Sequence, residues 1–287
     1  LDKALYAFAL GSVLTSLLLI LGIGVEISDE GLRPGRKMLF NSGPNEVGIK
    51  IMTGAMIFFT LFFNNRLNLS NFHRFSLALF IPLIFFAVLQ TGSRTAASMP
   101  IIAGLIWVFF RILKSKYKII ALISGSIVLI ALLTPLIFIA LQSDVLVDRV
   151  SRTGTQDFSD TNGRFFLWLG FFSIARENIL TGIGISGFEK ITYDFFGFIE
   201  SPHNVFLELA IYTGFFGLLL YSLFLYRVVY SSYLLYKDNN NLLGLLALPP
   251  VVAFTMILQG LSEKTCWVML AYIVGTYIYN KRESINN

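Results

Sequence analysis

Residues 119–142 read IIALISGSIVLIALLTPLIFIALQ, a run that contains no charged side chain. A helix needs about 20 mostly apolar residues to cross the hydrocarbon core of a bilayer, so this run is long enough to span one. The whole chain shares this character, since 55% of its residues are hydrophobic, only 14% are charged and the mean hydropathy is +0.72. Soluble domains carry roughly 25% charged residues. The sequence therefore predicts a polytopic membrane protein.

Further runs of this kind predict an all-α, multi-pass transmembrane bundle of about eight helices. The predicted spans are residues 4–25, 47–64, 74–91, 96–113, 119–142, 204–227, 242–262 and 265–280. Three regions follow from these spans: transmembrane helices with short loops over residues 1–142, an extracytoplasmic loop over 143–203, and the last spans over 204–287. Because the chain begins with leucine rather than methionine, we expect further spans upstream of residue 1.

Lysine and arginine are concentrated in alternate connections between the predicted spans, which indicates their cytoplasmic side. The connection after the fourth span is the most basic, with Arg111, Lys114, Lys116 and Lys118. This orientation places residues 26–46, 91–95 and 143–203 outside. The net charge of +5 is then explained by topology and by contact with anionic membrane lipids, and we expect no nucleic-acid partner.

The sequence offers little that would hold a metal or a cofactor, and we predict neither. The single cysteine, Cys266, lies in a predicted span, which excludes a disulfide framework and a cysteine-based metal site. The outer carboxylates Asp29, Glu30, Asp157 and Asp160 have no histidine beside them in the sequence, so we interpret them as solvated loop charges.

One arginine lies on the outer side against the positive-inside bias. Arg94 ends the short turn TGSR between the third and fourth predicted spans. An arginine at the centre of a membrane helix costs about 2.5–3.5 kcal/mol on insertion scales, and less near the interface. Two interpretations stay open: Arg94 binds a lipid phosphate by extending to the interface, or it binds an anionic substrate.

The outer loop contains a predicted amphipathic interfacial helix, begun by Thr161 or Asn162 and ended near Gly182. Arg164 falls in its first turn, where the helix dipole favours acidic side chains instead. Either a carboxylate such as Asp157 or Asp160 pairs with Arg164, or Arg164 and Arg94 bind a shared anion. The apolar pattern rests on Phe165, Phe166, Trp168, Leu169, Phe172, Ile174 and Leu180.

The third polar feature is His203, at the start of the sixth predicted span. Taken alone, an interfacial histidine is more often a polar helix-end residue than a catalyst. Arg94, Arg164 and His203 nevertheless share one predicted surface. Two guanidinium groups suit bidentate binding of a phosphate or pyrophosphate, and an imidazole suits removal of a proton from a hydroxyl. Nucleophilic catalysis by Ser201 lacks support, because the sequence places no acidic partner near it.

Two neighbouring features each allow more than one role. Asn204 either orients the imidazole, binds a sugar hydroxyl, or caps the first turn of the following span. Gly214 and Gly217 lie three residues apart on one predicted helix face, which suits close helix packing.

These residues resemble the motifs of the O-antigen ligase and O-antigen polymerase superfamily. His203-Asn204, followed after nine residues by Gly214 and then Gly217, resembles the family's histidine motif. The resemblance extends to the TGSR turn before residue 95, to Asn162-Gly-Arg164 with Trp168, and to the GIGISG turn over 182–187. The stretch from Leu32-Arg33 to Pro44-Asn45-Glu46 resembles the family's "R…G…PN" loop. Together these motifs cover about residues 30–230.

The resemblance implies a glycosyltransferase of the bacterial inner membrane, with its active site on the periplasmic face. Such enzymes move a glycan from undecaprenyl pyrophosphate to lipid A core, to a lipid-linked glycan, or to a protein. It implies that Arg94 and Arg164 bind the donor pyrophosphate and that His203 activates the acceptor hydroxyl. Ligase and polymerase share these residues, so the sequence leaves that choice open. From the chemistry of the donor we expect inversion at the sugar carbon without a metal.

A transporter or flippase for a lipid-linked glycan is the main alternative. Transporters place charged groups near the bilayer midplane and often contain internal repeats. In this sequence the unusual residues gather at one predicted surface and no repeat is evident, which favours the enzyme.

Overall fold

The computed structural model describes residues 2–28, 35–40, 42–63, 68–151, 164–258 and 261–286. Within them, six helices are long and apolar enough to cross a membrane. They are α1 (Asp2–Leu21), α2 (Pro44–Phe63), α3 (Asn71–Thr91), α4 (Arg94–Lys114), α5 (Lys118–Leu141) and α9 (Val205–Asn239). The prediction of an all-α multi-pass bundle is thereby confirmed.

The last two predicted spans fall outside this set of six. Residues 242–262 contain two short helices, α10 (Leu243–Leu246) and α11 (Leu248–Ile257). The break between them lies at Ala247, just before Pro249 and Pro250, whose rings remove backbone donors from a helix. The final helix, α12 (Lys264–Asn286), has the length of a span, but tyrosines, threonines and a polar C-terminal end lower its hydropathy.

Short elements occupy the predicted outer loops. Strand β1 (Val25–Ser28) pairs antiparallel with β2 (Arg36–Leu39) in the region expected to be an outer loop. The segment 143–203 contains α6 (Asp144–Ser151), α7 (Arg164–Glu177) and α8 (Gly184–Phe196). Neither the hairpin nor α6 nor α8 was expected from the sequence. The strands and α6 are too short to produce a clear periodic pattern, whereas α8 begins inside the GIGISG stretch that was interpreted as a turn.

The chain divides into two compact units. The first comprises residues 1–151, 231–250 and 271–287, and the second comprises 152–230 and 251–270. In the first unit α2 is the central helix, since it packs against α1, α3, α4 and α10, and α4 also packs against α5. Ile49, Met52 and Phe58 on α2 are fully buried. The division at residues 142 and 203 concerns membrane sidedness and stays a prediction.

The second unit has its own apolar core, built by α7, α8 and the first turns of α9. Phe171 and Phe188 stack with ring centroids 5.9 Å apart and planes 6° from parallel. Predicted apolar residues of α7 such as Phe165 and Phe172 are exposed instead, so this helix is apolar on more than one face. The buried core residues are Leu167, Phe171, Ile174, Ala175, Phe188 and Ile211.

A backbone crossing between two glycines joins α9 to the turn that precedes α8. Helix α9 is interrupted at Gly214, whose φ of 64° and ψ of −155° are not helical. The break exposes backbone groups: the Ile183 N–H donates to the Ile211 carbonyl at 2.7 Å, and the Phe215 N–H donates to the Ile179 carbonyl at 2.6 Å. The turn is thus hydrogen-bonded into the gap of the helix.

No side chain fits at this crossing. A Cβ on Gly214 would lie 2.5 Å from the Leu180 carbonyl oxygen, and a Cβ on Gly182 would lie 2.6 Å from the Ile211 carbonyl oxygen. Both glycines also adopt positive φ, which β-carbon-bearing residues rarely tolerate. The structure therefore corrects the prediction of a helix-packing role for Gly214: this residue breaks the helix.

We expect Gly214→Ala to destabilise the second unit. The backbone conformation is almost restricted to glycine and is strained by about 1–3 kcal/mol with another residue, and the contact with the Leu180 carbonyl adds to this. Thermal unfolding in detergent or nanodiscs measures the effect. Gly187→Ala is the matched control, because Gly187 lies in α8 and its added Cβ would make only an ordinary contact, at 3.5 Å from Ile183. Equal stability of both variants would contradict the close approach of the two backbones at Gly214.

Candidate active site

The residues around His203 form a short loop between α8 and α9. Helix α8 ends at Phe196, and α9 begins at Val205. The side-chain oxygen of Asn204 accepts hydrogen bonds from the N–H groups of Phe206 at 3.0 Å and Leu207 at 3.3 Å. This is an N-cap, which satisfies donors that have no partner inside a helix. Of the roles considered for Asn204, the structure shows capping.

Helix α7 holds the loop from the other side. The indole N–H of Trp168 donates to the Pro202 carbonyl at 2.8 Å. Arg164 precedes Trp168 by four residues, so both side chains lie on one face of α7. The face that binds the loop is therefore also the face that carries the arginine.

His203 itself is held in an unusual backbone conformation. Its φ is 47°, in the left-handed region that few non-glycine residues occupy. Its N–H donates to the Ser201 hydroxyl oxygen at 3.2 Å, and its Nε2 lies 3.5 Å from a carboxylate oxygen of Glu200. The imidazole is 36% exposed, so it is accessible from outside the protein. These contacts fix the position of the imidazole while leaving one side open.

The surroundings of His203 favour its neutral form. Burial lowers the pKa of His203 below its ordinary value, and the positive charge of Arg164 lowers this pKa further. The carboxylate of Glu200 acts in the opposite direction, by its charge and its hydrogen bond, but does not outweigh the other two effects. A neutral imidazole can accept a proton, which is what a general base requires.

A buried carboxylate on α9 is hydrogen-bonded to the loop that carries His203. Glu208, in the first turn of α9, is only 4% exposed and accepts a hydrogen bond from the Ser201 hydroxyl at 3.2 Å. Ser201 thus has an acidic neighbour, contrary to what the sequence indicated. The arrangement still does not activate Ser201 as a nucleophile: its hydroxyl proton points to Glu208, and its oxygen accepts from the His203 backbone. Ser201 and Glu208 fix the loop.

Sequence reasoning missed Glu200 and Glu208. Glu200 precedes the histidine by three residues and is visible as an acidic neighbour only once the loop is folded. Glu208 did give a signal, because an ionisable side chain inside an apolar span is by default a candidate for a functional role.

Arg94 lies in the first unit, at the start of α4. Ser93 caps this helix by accepting a hydrogen bond from the Ala96 N–H at 3.4 Å. The preceding turn is held by a buried arginine: Arg36 donates through Nε to the Thr91 carbonyl at 3.0 Å and through Nη2 to the Asn45 side chain at 2.9 Å. Arg94 itself is half-buried.

The same turn is contacted by a second basic residue of β2. Lys37 donates to the Gln90 side chain at 2.6 Å. The resemblance to the family's "R…G…PN" loop places its arginine at Arg33. Arg33 lies outside the described residues, and Arg36 is the arginine that contacts Asn45.

Within the second unit, Arg164 lies near enough to His203 for its charge to lower the pKa of the imidazole. Arg94 belongs to the first unit, and its convergence with the other two stays a prediction. Asp157 and Asp160, considered as partners of Arg164, lie outside the described residues, as does the predicted helix start at Thr161 or Asn162. Among the residues that the structure describes, no group of three or more acidic, histidine or cysteine side chains is arranged to hold a metal ion.

The fold and this site define a class of protein: a multi-pass helical membrane protein with a histidine in the loop between α8 and α9 and an arginine at the start of α7. A family model described as O-antigen ligase matches residues 77–222, just over half of the 287-residue chain. The match includes Arg94, Arg164, His203 and Asn204. The chain therefore belongs to the O-antigen ligase family. No curated protein and no solved structure gave a significant match.

Family membership assigns this chain, in general terms, to glycosyl transfer of the O-antigen ligase and polymerase type. It also assigns the chain to O-antigen or polysaccharide biosynthesis in a membrane.

The balance of charges around His203 predicts how two substitutions shift its pKa. Arg164→Gln should raise the pKa of His203, since it removes a positive charge, and Glu200→Gln should lower it, since it removes the opposing carboxylate. The chain has only two histidines, so NMR titration of labelled histidine in a His73→Gln background reports on His203 alone. Lys190→Gln in α8 is a control for loss of one positive charge. Shifts of the same sign in both variants would contradict the arrangement.

Proposed function

We propose that this protein transfers a glycan from undecaprenyl pyrophosphate to an acceptor hydroxyl at the periplasmic face of the bacterial inner membrane. The observation that carries the proposal is the loop at His203, where an accessible imidazole with a lowered pKa lies beside Arg164. A base and a cation side by side suit a reaction in which a hydroxyl loses its proton while a phosphate departs.

The chemistry requires one bond to form and one to break. The acceptor oxygen attacks the anomeric carbon, and the bond from that carbon to the pyrophosphate oxygen breaks on the opposite side. Direct displacement of this kind inverts the configuration of the sugar carbon. The hydroxyl proton passes to His203, and the negative charge that develops on the pyrophosphate is stabilised by Arg164 and Arg94. Guanidinium groups bind phosphate oxygens bidentately, so this mechanism needs no metal ion.

Glu200 determines which ring nitrogen of His203 carries the proton. Because its carboxylate lies beside Nε2, we assign the Nε2 proton to this contact, which leaves Nδ1 as the nitrogen that accepts the hydroxyl proton. As the imidazole becomes charged, the nearby carboxylate stabilises the resulting cation. Glu200 is thus a positioning residue, and its effect passes through His203.

The acceptor is either a lipid A core, as in a ligase, or a lipid-linked repeat unit, as in a polymerase. The surface glycan of a deletion strain distinguishes them. Uncapped core with polymer left on the lipid carrier identifies a ligase, whereas core that carries one repeat identifies a polymerase.

We expect His203→Asn to reduce glycan transfer by about 10²- to 10⁴-fold, the usual contribution of a general base. Asparagine tolerates the left-handed backbone at this position, so the loop should keep its fold better than with His203→Ala, which should also be inactive. The assay uses purified protein, a polyprenyl-pyrophosphate glycan donor and an acceptor. His73→Asn is the matched control, because His73 lies at the start of α3 outside the site.

Several outcomes of this assay would contradict the mechanism. Full turnover by His203→Asn would exclude His203 as the general base. A product with retained configuration at the sugar carbon would exclude direct displacement. Translocation of the donor across vesicles without any transfer would instead identify a flippase.

The proposal also requires that Arg94 and Arg164 bind one pyrophosphate. In a Cys266→Ser background, which lacks other cysteines, we expect Arg94→Cys and Arg164→Cys to be joined by a bifunctional thiol reagent about as long as two arginine side chains and a pyrophosphate. Gel mobility after proteolysis between the two positions measures the product. Lys190→Cys paired with Arg94→Cys is the comparison. Cross-linking only by much longer reagents would contradict a shared anion site.

A further inference from the structure

A basic pocket lies at the C-terminal end of α4, the end opposite to Arg94. It has a volume of about 410 Å³ and belongs entirely to the first unit. One wall is the last turns of α4, and the other is the end of α9 with the residues that follow. The lining residues are Trp107, Arg111, Lys114, Ser115, Tyr236, Asn240 and Leu242.

Two cations in this pocket are held against aromatic rings. The guanidinium carbon of Arg111 lies 5.1 Å from the ring centroid of Trp107, and the amine of Lys114 lies 5.9 Å from that of Tyr236. Lys114 also donates to the Asn240 side chain at 2.8 Å. An ammonium group has three donors, so this bond leaves others for a ligand. Both side chains are therefore positioned before any ligand arrives.

The rings themselves are fixed. The Tyr236 hydroxyl donates to the Phe110 carbonyl at 2.8 Å, and the rings of Phe110 and Tyr236 meet edge to face with centroids 4.9 Å apart. A rigid wall reduces the entropy lost when a ligand binds.

The charge in the pocket is of one sign. None of its seven lining residues, all of them in the described part of the chain, is acidic. Asp238 lies on the last turn of α9 but does not line the pocket. Two like charges in one concave site repel each other and favour an anion. A guanidinium offers paired donors to phosphate oxygens, and an ammonium adds a point charge. The C-terminal end of a helix also favours cations there.

The position of the pocket indicates where the anion comes from. Helix α4 has 21 residues and is about 30 Å long, so the pocket lies about one membrane thickness from Arg94 at the other end. Phe109 and Leu113 on the last turns of α4 are 55% and 54% exposed, which suits contact with acyl chains. Tryptophan and tyrosine are the side chains that favour the membrane interface.

We propose that this pocket binds the phosphate of an anionic phospholipid headgroup, at the membrane surface near the C-terminal end of α4. Arg111 binds the phosphate oxygens, Lys114 adds a second contact, and Trp107 and Tyr236 form the walls. The site is independent of the proposed catalytic function, so either can fail without the other.

The test uses the full chain in detergent and measures the thermal shift produced by short-chain phosphatidylglycerol, with phosphatidylcholine for comparison. Phosphatidylglycerol should stabilise the protein more. Arg111→Gln with Lys114→Gln should weaken this binding about tenfold or more, because it removes two charge-assisted contacts with the phosphate, which are stronger than diffuse attraction to a basic surface. Lys116→Gln with Lys118→Gln is the matched control: it removes two charges from the same connection but outside the lining, and should bind as the unmodified protein does.

Each other result overturns the proposal. An equal loss in both double variants means diffuse attraction by the basic connection. Binding unchanged by Arg111→Gln with Lys114→Gln means that the lipid binds elsewhere. An equal shift with inorganic phosphate at the same concentration means that the pocket takes a soluble anion. If the double variant does not fold, Arg111→Lys tests the proposal instead. This variant keeps the positive charge but loses the paired donors of the guanidinium group. It should therefore bind phosphatidylglycerol more weakly than Lys116→Arg does.

Discussion

The second unit depends on the place where two backbones meet at Gly182 and Gly214. The regular hydrogen bonding of α9 is interrupted there, and the turn before α8 supplies the missing partners. The Ile183 N–H of the turn donates to the Ile211 carbonyl, and the Phe215 N–H of α9 donates to the Ile179 carbonyl. Unpaired backbone groups in an apolar setting are costly, so the break in α9 and the turn stabilise each other. The aromatic core of α7 and α8 packs next to this junction, and the loop with His203 begins where that core ends. The break in α9 thus ties the helix that follows the His203 loop to the turn before α8.

The loop shows how a few side chains can fix both the place and the charge of an imidazole. Hydrogen bonds of Trp168 and Asn204 hold the backbone of the loop and of the first turn of α9. The Ser201 hydroxyl adds a hydrogen bond to the buried Glu208. Arg164 and Glu200 act on the imidazole with opposite charges. Burial lowers the pKa of His203 most, Arg164 lowers it further, and Glu200 offsets part of the decrease. The neutral imidazole is favoured, while a carboxylate remains beside it that would stabilise its protonated form.

The sequence was informative where one strong physical signal dominates. Long apolar runs predict spans because a bilayer demands about 20 such residues, and the first six agree with helices of the structure. The same signals directed attention to Arg94 and Arg164, whose shared role stays a prediction. The sequence was uninformative where the local structure depends on contacts between residues that are distant along the chain. The β1–β2 hairpin, the break in α9 and the contact of Arg36 with Asn45 depend on residues that are far apart along the chain. The apolar stretch before α12 was misjudged because hydropathy does not register a break at Ala247.

Helix α4 carries cations at both ends, and the helix dipole acts on the two ends in opposite ways. At its C-terminal end, the positive charges of Arg111 and Lys114 interact favourably with the dipole. At its N-terminal end, Arg94 opposes the dipole, and Arg36 and Lys37 hold the preceding turn with additional positive charge. Ser93 caps this end with a neutral hydroxyl, where an aspartate would have relieved the field. An anion at this end would interact favourably with the N-terminus of α4. The proposed donor, a pyrophosphate, carries several negative charges close together and therefore suits a helix N-terminus.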